Sequence, residues 1–257
     1  MSDIQKKAAI IAIGDELLSG RTRDANLHYL AGWLTARGIN LCEARVIPDE
    51  HEKIIRTVNE LRENCDYVFT SGGIGPTHDD ITADGIAAAF GRAIEENADA
   101  IAVMQEYYGA RGEELNPGRR RMARMPVGAT LIHNEVNGPP GFQIENVFVL
   151  AGVPAIFRSM LKDIDHRLVH GPVSKAYTVK GPAIESAMSE GLATLQAANP
   201  DVSIGSYPGK SGQRGIVSIV SRGLDEMKVR GVALEVVALM NEKGYQATLE
   251  EGDGSTE

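Results

Sequence analysis

Apolar positions along this chain follow two rhythms. Ala8-Ala9-Ile10-Ile11-Ala12-Ile13 is apolar without alternation, as in a parallel strand covered on both faces. Residues 39–46 and 67–70 read as the second and third strands, and 130–133 and 147–150 as two more. Between them the apolar spacing changes to three and four, the mark of one-sided helices. Leu27, Leu30, Ala31 and Leu34 form one stripe, opened by Asp24 as N-cap and stopped at Gly38. Ile54, Ile55, Val58 and Leu61 form a second, and Ala83, Ile86, Ala87 and Phe90 a third. Further helices are expected over residues 98–108, over Arg119–Arg124 up to Pro126, and through Ile156, Met160, Leu161 and Ile164. Three strand-loop-helix units in succession predict right-handed crossovers and a mainly parallel sheet, an α/β domain over residues 4–170.

Gly171-Pro172 reads as a linker. Beyond it the pattern is strand 176–179, helix 184–198, strand 202–207, strand 216–220 and helix 224–243. That βαββα order predicts a small α+β domain over residues 173–245, followed by a polar, disordered tail over 246–257.

Composition narrows the function classes. The chain has 257 residues, 43% of them hydrophobic, with a net charge of −9. That balance disfavours a partner bound by general electrostatics, so no nucleic acid is expected. No apolar run reaches membrane-span length and no long apolar leader is present, so a cytoplasmic location with no membrane contact is expected. Cys42 and Cys65 lie far apart in sequence and read as reduced thiols.

The candidate chemistry sits at strand ends. Thr70-Ser71-Gly72-Gly73-Ile74-Gly75-Pro76-Thr77-His78-Asp79-Asp80-Ile81-Thr82 runs from the third strand into a helix. Its glycines allow close backbone approach, and the helix start favours a phosphate. Asp79 and Asp80 suit a phosphate only with a divalent cation between, which makes both candidate metal ligands; the competing reading has Asp80 capping the next helix. Gly14-Asp15-Glu16 and Ala151-Gly152-Val153-Pro154 follow two other strands. Asp49, with Glu52 three positions on, fits either a capping box or a site carboxylate. Parallel strands would bring these ends to one edge of the sheet and one cleft. The arginines of 119–124 read as a solvated face or as one donor to a bound pyrophosphate.

Other signals carry less. Gly205-Ser206-Tyr207-Pro208-Gly209-Lys210-Ser211 is one residue short of a P-loop and precedes a strand. Gly209-Lys210-Ser211-Gly212 matches the GXXG of RNA-binding KH domains but lies between two strands, as a hairpin turn would. The histidines show no paired metal spacing, and there is no GxSxG elbow.

Gly72-Gly73-Ile74-Gly75-Pro76-Thr77 with Asp79-Asp80-Ile81-Thr82 resembles the signature of MoaB/Mog-like molybdopterin-binding domains. The double aspartate resembles the N-terminal domain of the CinA (competence/damage-inducible protein A) family. Gly14-Asp15-Glu16-Leu17-Leu18-Ser19-Gly20, Asp24 with Asn26, and Gly152-Val153-Pro154 match the same pattern. Ile204-Gly205-Ser206-Tyr207-Pro208 resembles a motif of that family's following KH-like domain. Ala151 departs from the proline of many relatives.

The resemblance implies a three-layer α/β domain for a nucleotide- or pterin-linked phosphate. In the CinA branch it implies metal-dependent pyrophosphatase activity on ADP-ribose or FAD-like dinucleotides, with Mg, Mn or Co as cofactor. Asp49 and Asp80 match its catalytic acids. Gly14, Asp15, Glu16, Asn26, Ser71, Gly72, Gly73, Gly75, Pro76, Thr77, Thr82 and Gly152 are the expected ligand-binding residues. The alternatives are a molybdopterin-binding or adenylylating protein of molybdenum cofactor biosynthesis, and a nucleotide sensor without turnover. The resemblance also implies a homo-oligomer. The nicotinamide-mononucleotide deamidase domain of longer relatives finds no room in the sequence, so that activity is not expected.

Overall fold

The structure is a computed structural model describing residues 5–209 and 215–253. The chain divides into two compact units, Met1–Gly171 and Pro172–Glu257. The first begins with β1 (Lys7–Ile13), a short α1 (Asp15–Leu18), α2 (Asn26–Thr35), β2 (Asn40–Ile47), α3 (His51–Asn64), β3 (Tyr67–Ser71) and α4 (Thr82–Ala89). It continues through β4 (Ile94–Glu96), α5 (Ala98–Gly109), α6 (Pro117–Arg120), β5 (Arg124–Pro126), β6 (Thr130–Ile132), β7 (Gly141–Ile144), β8 (Val147–Leu150) and α7 (Pro154–Ile164).

The main sheet has the order β2-β1-β3-β8-β7-β6. Neighbours from β2 to β8 pair in parallel, while β7 and β6 are antiparallel additions. The unbroken apolar run of β1 explains the layering. Ala9, Ile11 and Ile13 enter one core with Ile54, Val58 and Leu61 of α3, Ile86 of α4 and Met104 of α5. Ala8 and Ile10 enter the opposite core with Leu30 and Leu34 of α2 and Phe157, Leu161 and Ile164 of α7. Period-two side chains of one strand thus feed both helical layers. Phe69 and Phe148 stack at 5.2 Å in the second core. Gly85 brings α4 close against α3, since a Cβ there would stand 2.6 Å from Ile54 Cγ2. That contact sets where the glycine-rich loop meets its helix.

Two expectations change here. No strand is read from the sequence over residues 141–144, yet β7 forms there: the prolines before it mask a strand that starts at Gly141, where a Cβ would meet the Val149 carbonyl at 2.4 Å. The expected helix over 119–124 stops at Arg120. A 3₁₀ turn, Arg121–Ala123, follows it, and then β5, whose Met125 is buried and which pairs with β4. Strands of three residues are too short for their alternation to show in sequence.

The second unit contains β9 (Lys175–Gly181), α8 (Glu185–Ala198), β10 (Ser203–Pro208), β11 (Val217–Gly223), α9 (Glu226–Glu242) and β12 (Thr248–Glu251). Its separate antiparallel sheet runs β10-β11-β9-β12, with Val179, Ile219, Val232 and Val236 in its core. The strand β12 corrects the disordered tail assigned to residues 246–257. Thr248–Glu251 pairs with β9, Leu249 packs on the core, and Glu250 forms an ion pair with Lys180. One inward apolar residue in four is too weak a signal to read. Residues 254–257 lie outside the described ones. So do residues 210–214, which include all of the GXXG motif but Gly209; the flanking β10 and β11 pair antiparallel.

Candidate functional site

The parallel strands β1, β2, β3 and β8 end at one edge, and short contacts tie their following loops together. Gly14 N–H donates to the Ile47 carbonyl at 3.1 Å, joining the ends of β1 and β2. Gly72 N–H donates to the Leu150 carbonyl at 3.2 Å, joining β3 to β8. Gly72 has φ 107°, and a Cβ on it would stand 2.2 Å from the Ile13 carbonyl oxygen. Only glycine lets these chains approach so closely.

Side chains lock the arrangement. Thr82, fully buried, donates its hydroxyl to the Gly72 carbonyl at 3.1 Å and its N–H to the Gly73 carbonyl at 3.0 Å. Asn26, also buried, donates from Nδ2 to Ser71 Oγ and to the Gly152 carbonyl, both at 2.8 Å. Its Oδ1 is buried with no partner. Asn26 therefore bridges the β3 and β8 loops from the first turn of α2.

Asp49 resolves an ambiguity of the sequence. It does not cap α3, whose start carries no side-chain cap. Its Oδ2 accepts the Asp15 N–H at 3.1 Å, and its Oδ1 stands 3.4 Å from where a Cβ of Gly73 would be. One carboxylate thus bonds the loop after β1 and lies alongside the loop after β3. Burial raises the Asp49 carboxyl above its ordinary range; the Asp15 N–H opposes this, and the charges of Asp15, Glu16 and Asp79 add to the rise.

Asp80 is not the cap of α4 either. Its Oδ1 accepts Gly75 N–H at 2.7 Å; its Oδ2 accepts Thr77 N–H at 2.8 Å and Thr77 Oγ at 2.5 Å. The carboxylate fills the loop's own ring of amides. Gly72 and Gly75 amides are therefore engaged within the protein, whereas the N–H groups of Gly73 and Ile74 are among those that meet no protein acceptor.

Asp79 and His78 are exposed at the rim. Beneath the loop is a crevice of about 10 Å³, the size of one water, lined by Gly73, Gly75, Asp80, Asp84, Arg121 and Arg124. Arg119, Arg120 and Arg124 pair with Glu113, Glu96 and Asp84. Among the described residues Arg121 has no such pair, and its Nε is buried without an acceptor. The sequence marked the arginine cluster but not this member, because only the paired carboxylates single it out.

Among the described residues, no three carboxylate, histidine or cysteine groups stand together as a preformed metal cage. The site instead places Asp15, Glu16 and Asp79 within electrostatic reach of Asp49. That donor set fits a Mg-class ion held by one or two carboxylates plus ligand phosphates.

Residues 9–170 match the model of a probable molybdopterin binding domain, and residues 177–248 that of the FAD synthase middle domain. The chain belongs to the molybdopterin-binding domain family, as a CinA-type member. A protein of Archaeoglobus fulgidus is 33% identical over 91% of this chain and 98% of its own length. A CinA-like protein of Gemmatimonas aurantiaca is 32% identical over 95% of this chain, which spans 60% of that relative. The crystal structure of a CinA protein of Thermoplasma acidophilum, titled as of unknown function, aligns with a TM-score of 0.59 at 32% identity, covering 65% of this chain and 99% of that one. Among the described residues of this CinA-type chain, no helix is long and apolar enough to cross a membrane.

The elevated Asp49 carboxyl makes a stability prediction. Its folded-state pKa lies above the unfolded one, so its stabilising contribution is full below the ordinary carboxylate range and is lost as pH rises through the raised value. Asp49→Asn keeps an acceptor for Asp15 N–H and removes the charge. The variant's Tm at pH 7 is expected to exceed the parent's by about 1–2 °C, and the gap to close near pH 4. A melting series across pH checks both halves.

Proposed function

We propose that this CinA-type protein is a divalent-metal-dependent nucleotide pyrophosphatase acting on ADP-ribose or FAD-like dinucleotides. The observation that carries the reading is Asp49, raised and crowded by acids, set against the open N–H groups of the Gly73–Ile74 turn. The match of the second unit to the FAD synthase middle domain supports a nucleotide ligand.

The diphosphate rests against Gly73 and Ile74 N–H, with the unpaired guanidinium of Arg121 as the nearby positive charge. Asp49 and Asp79 are the residues that would hold a divalent cation, which when bound would supply charge neutralisation at the phosphates and a lower pKa for water. Asp49 is placed to take the proton of the attacking water. The water oxygen bonds to phosphorus, the bridging P–O bond breaks, and AMP leaves together with ribose phosphate or FMN. Asp80 holds the loop in shape. Asp15 and Glu16 contact the ribose, and Asn26, Ser71, Thr82 and Gly152 fix the strand ends around it.

The test is AMP release from ADP-ribose or FAD with added Mg²⁺, Mn²⁺ or Co²⁺. Turnover with at least one ion supports the reading; none, in folded protein, rejects it. A second reading has its own observation: residues 9–170 match a probable molybdopterin binding domain, so the same loop would serve a molybdopterin carrier. Copurified pterin fluorescence and no metal-stimulated turnover would favour that carrier. Tight ADP-ribose binding with the ligand intact after incubation would favour a sensor. A homo-oligomer belongs to the same proposal, and light scattering on the purified chain reads it directly.

A further inference from the structure

Away from this edge, two cysteines distant in sequence meet. Cys42 Sγ lies 3.8 Å from Cys65 Sγ, although the residues are 23 positions apart. Both are free thiols, Cys42 exposed and Cys65 buried. The contact has a specific structural origin. In the parallel pairing of β1 with β2, Ala8 faces Leu41 but Ala9 faces Glu43. The register skips Cys42, making it the extra residue of a β-bulge on the edge strand of the sheet. A regular β2 would alternate through this position; the bulge re-aims the side chain. Its Sγ lies 3.3 Å from the Ala8 carbonyl, as a donor. Cys65 ends α3 immediately before β3, where its N–H closes the helix on the Leu61 carbonyl.

We propose that Cys42 and Cys65 form a redox-active dithiol, which closes to a reversible disulfide with a low-molecular-weight disulfide as oxidant. Exposure decides the order of events. The accessible Cys42 thiolate attacks one sulfur of the oxidant, forming a mixed disulfide and expelling one thiolate. Cys65, which has lost its proton, attacks Cys42 Sγ and expels the second thiolate. The two protons released by the cysteines end on the two product thiols. Two protein thiols are oxidised and one small disulfide is reduced. Burial, then contact with Cys42, pushes the Cys65 thiol up to about 11. That keeps Cys65 protonated and unreactive toward oxidant from solution; its attack in the second step relies on the 3.8 Å proximity of Cys42 Sγ. The gap to be closed is under about 2 Å, within reach of side-chain rotation on an edge strand. The bond would staple β2, the strand that leads into Pro48-Asp49, to the turn that begins β3, the strand that leads into Gly72. It thereby clamps two of the strands whose ends build the candidate site.

The test equilibrates the full chain with mixtures of reduced and oxidised glutathione, followed by acid quench, thiol alkylation and peptide mass mapping. The expected result is two species only, the fully reduced chain and an intramolecular Cys42–Cys65 disulfide, interconverted by dithiothreitol. The equilibrium constant for closure should exceed that of the same chain in denaturant by at least about tenfold, because the fold holds the thiols together. Cys42→Ser should abolish all oxidation at Cys65, while Cys65→Ser should leave Cys42 as a trapped glutathione adduct. Accumulation of singly glutathionylated Cys42 beside free Cys65 in the parent chain would overturn the proposal. So would a closure constant no larger in the native than in the denatured chain.

Discussion

Asp80→Asn is expected to lower kcat/KM for the pyrophosphatase reaction by at least about 100-fold while leaving the chain folded. The carboxylate accepts hydrogen bonds from Gly75 N–H, Thr77 N–H and Thr77 Oγ. An amide in its place turns one acceptor into a donor that faces donors, and the charge assistance of the remaining bonds is lost. The local cost is about 1–3 kcal/mol, too little to unfold the domain but enough to release the turn that presents Gly73 and Ile74 N–H. Thr77→Val removes only the hydroxyl donor and should show a smaller loss in the same direction. Metal titration separates two roles for Asp80. If it braces the loop, the concentration of Mn²⁺ giving half-maximal rate stays as in the parent. A large rise in that concentration would place Asp80 on the cation, and parent-like kcat/KM would remove it from the site altogether.

The strands that form the site edge were legible because burial on both faces leaves a plain chemical trace. Ala8 to Ile13 has no polar residue to alternate with, and the structure splits it between two cores. The gathering of Gly14, Asp15, Asp49, Gly72, Gly73, Thr82 and Gly152 followed from parallel order alone, since parallel neighbours end at the same edge. The bracing was not legible. Asp49 and Asp80 each sit where a helix cap would, and the sequence leaves capping and cross-loop bonding open. Only coordinates show Asp49 reaching Asp15 and Asp80 closing on Gly75 and Thr77. The short strands β4, β5, β7 and β12 escaped for a related reason: their order comes from partners distant in sequence, as with Thr248–Glu251 on β9. Cys42 adds a case where the departure from regularity, a skipped register position, carries the information.

Gly72→Ala should be the most damaging small substitution at the site. The residue has φ 107°, outside the range that L side chains favour, and its Cβ would stand 2.2 Å from the Ile13 backbone oxygen. A backbone oxygen at the end of a buried strand cannot swing aside as a flexible side chain can. Either β1 or the loop must move, and the bonds from Gly72 N–H to Leu150 and from Thr82 Oγ to the Gly72 carbonyl would move with it. The expected cost is about 3 kcal/mol or more, a fall in Tm of roughly 10 °C for a unit of this size, together with loss of ligand binding. Gly20→Ala supplies the contrast. Gly20 also has positive φ, 73°, but a Cβ there meets nothing within 4 Å. Its cost should be only the backbone strain, about 1 kcal/mol. If melting shows the two substitutions to be equally mild, the strand ends are not held together through Gly72, and the close approach that places Asp49 beside Gly73 loses its support.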